Sequence, residues 1–145
     1  MLGYINFIDG NNTMHCELCL SSGETLLYSD TKLRVILVDD ADYPGFCRVI
    51  WHDHVKEMSD LNDADRQHMF DWLMRTERAL RAELNPDKIN LASLGNVVPH
   101  LHWHVIPRFT HDAHFPAPIW ASARREAHPQ APANLAARLK ARLIR

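Results

Sequence analysis

The chain is expected to fold as an α+β domain with an antiparallel sheet, one principal helix and a Pro-rich C-terminal tail. Three observations predict it. Several short runs are β-branched or alternate polar with apolar residues, as half-buried strands do. One segment, 64–84, lacks Gly and Pro and carries an apolar stripe at helical spacing. Two strand-like runs flank the turn-forming Gly95-Asn96, which suits an antiparallel hairpin.

A length of 145 residues fits one domain able to bury a real core. Hydrophobic residues at 46% and charged residues at 23% are ordinary for a globular protein. A formal charge of -2 offers no global attraction to a nucleic acid polymer or an anionic membrane. No apolar run is long enough to span a bilayer, and the first residues lack the basic flank of a secretory signal. Three cysteines, with one Cys-x-x-Cys pair, do not form a disulfide framework, so a reducing, cytoplasmic setting is expected. Met14 precedes His15-Cys16, which makes residues 1–13 a candidate disordered leader and 14–110 the expected domain.

Cys16-Glu17-Leu18-Cys19 opens that domain and is followed by the turn-like Ser21-Ser22-Gly23. The pair reads as half of a metal site, a redox pair or a coincidence. Because it precedes a turn and a strand rather than opening a helix, metal is favoured. Strands are expected over 26–28, 33–38 and 46–51. Asp39, Asp40 and Asp42 surround the Pro44-Gly45 turn, where one carboxylate is a candidate to bind a ligand hydroxyl such as a ribose and the others are solvated. Cys47 is expected as a small buried apolar residue. His52 and His54 end the third strand, as exposed loop residues or with one a metal ligand.

Asn62 or Ser59 is expected to cap the helix, with Asp63 and Asp65 at its positive end. Met69, Leu73, Leu80 and Leu84, joined by Phe70 and Met74, form its core stripe, and Arg66, Arg75, Arg78 and Arg81 its solvated face. Asn85-Pro86 ends it. The run 88–94 then alternates as a strand. After Phe109, His111, His114 and four prolines suggest an extended segment, 111–145, that packs on the domain or a dimer. It closes with a short amphipathic helix bearing Leu135, Leu139 and Leu143.

Between these lies Pro99-His100-Leu101-His102-Trp103-His104-Val105-Ile106-Pro107-Arg108. On a strand, His100, His102 and His104 would line one face, spaced by about 6.6 Å, with Leu101, Trp103 and Val105 facing the core. A purely structural role fits poorly, since three buried imidazoles would each need partners. The three span about 13 Å, too far to share one tetrahedral ion, although two of them fit. Nucleophilic catalysis fits well: a neutral imidazole attacks phosphorus, and a neighbouring histidine protonates the leaving group. Phosphate binding without turnover is the fourth reading.

His100-x-His102-x-His104-Val105-Ile106 with apolar x, together with Cys16-x-x-Cys19 and Ile106-Pro107-Arg108, resembles the histidine triad (HIT) superfamily. The likeness covers roughly residues 14–109 and is nearest the bacterial branch related to dinucleoside polyphosphate hydrolases. It implies a nucleotide hydrolase or transferase acting at the α-phosphate of dinucleoside polyphosphates or nucleoside phosphoramidates, working as a homodimer. The alternative is a zinc-stabilised nucleotide-binding protein with little or no turnover. By the resemblance, His102 is the nucleophile that becomes a nucleotidyl-histidine, His104 meets the phosphate and leaving group, and His100 orients the site or binds metal. Zinc-bearing members use a set similar to Cys16, Cys19, His54 and His100, a closed structural shell. An acidic residue at Asp39 or Asp40 would hold the ribose and Asn96 the phosphate. The chain departs from the pattern at Val97, where a hydroxyl residue is usual, which weakens the expectation of phosphoramidase activity.

Overall fold

A computed structural model describes residues 16–145; the expected leader lies outside them. Five strands form one antiparallel sheet: β1 (Thr25–Ser29), β2 (Leu33–Leu37), β3 (Cys47–Trp51), β4 (Lys88–Ala92) and β5 (His102–Arg108). Their order in the sheet is β1-β2-β3-β5-β4, so β5 lies between β3 and the edge strand β4. Helix α1 (Asp63–Leu84) joins β3 to β4, and α2 (Leu135–Leu143) ends the chain. No helix among the described residues is long and apolar enough to cross a membrane.

Alternation divides the sheet into two faces. One buries Leu33, Val35, Val49 and Val105 against Met69, Leu73 and Leu80 of α1 and Leu135, Leu139 and Leu143 of α2. Asn62 caps α1, its side-chain oxygen accepting from the Asp65 N–H at 2.8 Å, and Asn85 ends the helix at φ 45°. Gly45, at φ 92°, lies under the end of this helix, where a Cβ would collide with Leu84. Phe70 departs from the expected core stripe and is 41% exposed, while Trp72, Thr76 and Ala79 are buried.

The other sheet face carries Arg34, Ile36, Arg48, Ile50, His102 and His104, and here the structure corrects the expected strand. Strand β4 stops at Ala92 and β5 begins at His102, so 93–101 is a loop rather than a tight hairpin turn, and His100 stands outside the strand. The loop is pinned beside the end of β3: Trp51 N–H donates to Leu101 O at 3.1 Å and Leu101 N–H to Val55 O at 2.7 Å. The first bond extends the β3–β5 register to Leu101, the second diverts the chain to Val55, and the His100 side chain meets Cys16, Cys19 and His54.

The segment after Phe109 belongs to the same packed body. Helix α2 contributes three leucines to the main core, and Glu83 of α1 pairs with Arg138 and Arg142 at 2.6 Å each. Arg108, 2% exposed, makes a two-pronged pair with Asp112 at 2.8 and 3.1 Å and also donates to Asn90 Oδ1 and Ala117 O. This fastens the chain beyond Phe109 across the outer end of β5.

Candidate active site and metal centre

Cys16 and Cys19 lie in a turn before β1, His54 just after β3 and His100 in the 93–101 loop. Their four donor atoms all fall within 4.8 Å of one another. Nδ1 of His100 is 3.5 Å from Cys16 Sγ, 3.4 Å from Cys19 Sγ and 3.2 Å from Nδ1 of His54, which is itself 3.4 Å from Cys19 Sγ. A tetrahedral zinc with ordinary bond lengths would set sulfur–nitrogen separations of about 3.6 Å and nitrogen–nitrogen separations of about 3.3 Å. The match is close, and two facing imidazole nitrogens are more readily explained as joint ligands than as a hydrogen bond. Burial, then the adjoining Cys16 thiol, push Cys19 up to about 11, so a thiolate pair here calls for a cation. Cys16, Cys19, His54 and His100 form a metal site suited to zinc.

The second nitrogen of His100 completes the arrangement. Its Nε2–H donates to Trp51 O at 2.6 Å, which fixes the tautomer and aims the Nδ1 lone pair at the thiols. The His100 carbonyl then accepts from Nδ1–H of His102 at 2.5 Å. His102 therefore keeps its lone pair on Nε2. Its ring lines a cavity of about 140 Å³ with Ser93, Gly95, Asn96 and Lys56. A Cβ on Gly95 would come 3.7 Å from His102 Cε1 and 3.1 Å from Val98 O, narrowing that space. His104 follows on the same face, its ring 4.7 Å from that of His102. It donates through Nε2 to Leu94 O at 3.3 Å, and its Nδ1 is buried without a partner among the described residues. Burial pushes His104 down to about 4 and also lowers His102, with Arg48 adding to both shifts, so these rings are neutral near pH 7.

The sequence matches the HIT domain family over residues 21–111. The chain belongs to the HIT family. An AP-4-A phosphorylase of Mycobacterium tuberculosis is 28% identical over 103 residues, 66% of this chain. The chain spans about half the length of the curated relatives it matches, 53%. A solved histidine triad protein from Bradyrhizobium japonicum superposes with a TM-score of 0.69 at 29% identity, covering 86% of this chain and 91% of its own. A zinc-bound histidine triad family protein from Mycobacterium smegmatis shares the fold, with a TM-score of 0.65 at 24% identity over 91% of this chain and 95% of its own.

In this HIT protein the expected site residues divide by position. The two Cys, His54 and His100 converge, and His102 and His104 sit beside them. Asn96 lines the same cavity. Asp39 and Asp40 lie further out, after β2; Asp40 accepts from the Asp42 N–H at 3.0 Å, while the exposed Asp39 makes no side-chain hydrogen bond among the described residues. Val97 is 93% exposed and brings no donor inward. His52 turns instead to Asp30 O at 2.9 Å, and His114 to the Tyr43 hydroxyl at 2.5 Å, so neither reaches the triad. His111 is exposed, beside a separate cavity near Pro44.

Sequence reasoning missed three neighbours of His104. Phe46 packs 5.6 Å from its ring and Trp120, delivered by the C-terminal segment, 5.0 Å from it. Arg48 is its register partner on β3. An arginine in the middle of an apolar strand was the available signal for the last of these; nothing local in the sequence marks Trp120.

Proposed function

We propose that this HIT protein is a nucleotide hydrolase or transferase that works at the α-phosphate through a nucleotidyl-histidine intermediate. The proposed substrates are dinucleoside polyphosphates or nucleoside phosphoramidates. The observation that carries the reading is the Nδ1–H of His102 held on the His100 carbonyl, which reserves Nε2 for attack. In the first half, a P–N bond forms at Nε2 as the bond from phosphorus to the leaving group breaks, and the leaving atom takes the electron pair. In the second half, water attacks phosphorus, the P–N bond breaks, and a nucleoside monophosphate departs with imidazole restored. Inorganic phosphate in place of water would turn the second half into a transfer, in keeping with the phosphorylase relative.

By the resemblance His104 is assigned the phosphate and leaving group; with its Nε2–H on Leu94 O, its Nδ1, which has no partner among the described residues, donates there only once it has taken up a proton. Asn96 is assigned the phosphate and Asp39, rather than the turn-bound Asp40, the ribose. Cys16, Cys19, His54 and His100 would hold zinc in a closed shell, where it would supply a crosslink rather than a reaction centre. The active form is proposed to be a homodimer, as the resemblance implies, in the cytoplasmic setting that the cysteine usage suggests.

Incubation with labelled dinucleoside tetraphosphate tests the assignment. Substituting His102→Ala is expected to cut turnover by about 1,000-fold or more. Product formation unchanged by the substitution would remove His102 as nucleophile. The exposed Val97, with no hydroxyl to offer, favours a second reading, nucleotide binding with little turnover. Tight nucleotide binding by the parent, with no more product than His102→Ala yields, would establish it instead.

A further inference from the structure

Three arginines project from the sheet face that bears His102 and His104, and two are satisfied by the protein. Arg34 reaches both oxygens of Glu24 at 2.7 Å and Leu18 O at 2.8 Å, and Arg108 has its two-pronged pair with Asp112. Arg48, on the strand between them, is different. Its Nε is buried with no hydrogen-bond partner among the described residues. Glu17, Glu24 and Asp40 act on it only through space; Glu24 is already taken by Arg34, and Asp40 accepts the Asp42 N–H. What Arg48 does touch is aromatic: its guanidinium carbon lies 5.5 Å from the centre of the Phe46 ring, the same ring that packs against His104.

A guanidinium cannot shed its proton to escape burial, so a half-buried one with no carboxylate in direct contact is costly unless an anion arrives. The two neighbouring histidines carry no negative charge in either protonation state and cannot supply it. Register puts Arg48 directly across from His104, and such cross-strand neighbours have Cβ atoms about 5 Å apart. A phosphate joined to His102 or touching His104 is therefore within the span of the Arg48 side chain. With Phe46 packed beside the guanidinium, its in-plane N–H groups remain for the fork-like contact that phosphate oxygens accept.

We infer that Arg48 is an anion-binding residue of this site, donating to non-bridging oxygens of the substrate's phosphates beside His102 and His104. The inference rests on the nucleotide reading above.

Calorimetric titration with adenosine and AMP, and with guanosine and GMP, separates the phosphate from the nucleoside. Arg48→Met is expected to weaken the parent's preferred monophosphate by about 10–100-fold and leave its nucleoside unchanged. Should Arg48→Met fail to fold by circular dichroism, Arg48→Lys carries the same comparison, with a smaller loss confined to the monophosphate. Equal losses for nucleoside and monophosphate, or none for either, would overturn the phosphate assignment while leaving the nucleotide reading intact. A parent that binds none of the four ligands and turns over no dinucleoside tetraphosphate removes the nucleotide reading, and the subsite with it.

Discussion

The three histidines of the triad differ in which ring nitrogen the protein occupies. Trp51 O takes Nε2 of His100, His100 O takes Nδ1 of His102, and Leu94 O takes Nε2 of His104. The free nitrogens are consequently Nδ1, Nε2 and Nδ1; the first meets the thiols and the last is buried without a partner among the described residues. Period-two spacing in the sequence reveals the imidazoles but not these assignments, because each depends on a carbonyl brought in by tertiary structure. Asp112 is the other residue whose role is set this way. Burial disfavours its carboxylate, but Arg108 and the backbone N–H groups of Phe109, His114 and Phe115 outweigh that and hold it well below the usual carboxylate range. A lowered folded-state value means the unfolded chain binds more protons across the interval, so this stabilisation is full above about pH 4 and fades as pH falls further. Asp112→Asn is expected to cost about 3 kcal/mol in urea unfolding at pH 7, by leaving Arg108 buried without its counter-charge. The gap between variant and parent should narrow at about pH 3; a constant gap would place the effect in packing rather than charge.

At the scale of elements, the 93–101 loop and the end of β3 decide the site. The strands were legible in the sequence because alternation on a half-buried sheet leaves a period that composition cannot hide: β2, β3 and β4 fall within the expected runs. The same alternation misled at Pro99-His100, which continues the pattern of β5 but lies beyond the last pair with β3, where the Leu101 N–H is taken by Val55 O. The Cys pair was visible, and its partners emerged from family likeness, since no local rule joins residue 16 to residue 100. A metal at that junction would steady the loop whose carbonyl holds His102 Nδ1. Cys19→Ser is therefore expected to lower zinc content by elemental analysis, lower the melting temperature, and reduce kcat/KM for dinucleoside tetraphosphate by about tenfold or more. Full zinc content and an unchanged melting temperature in the variant would dissociate Cys19 from the metal.

Across the whole molecule, the C-terminal segment closes what the sheet leaves open. Its leucines were readable as one apolar side of a helix, but their seat against α1 and the Glu83 pairs with Arg138 and Arg142 were not, since they join positions 55 and 59 residues apart. Arg108 and Asp112 look like an ordinary solvated pair in a Pro- and His-rich stretch, and only the fold shows them buried. The metal site spans comparable distances, its contacts closing over 35, 46, 81 and 84 positions. Such a set is complete only after β3 and β5 have found each other, because long loops must close before all four donors meet. The ion should accordingly arrive late in the folding reaction and act as a latch on the way out. Stopped-flow experiments with and without zinc are expected to give the same refolding rate and a markedly slower unfolding rate with metal. Faster refolding with zinc would mean that the ligands gather before the sheet does, with the ion serving as a nucleus instead of a latch.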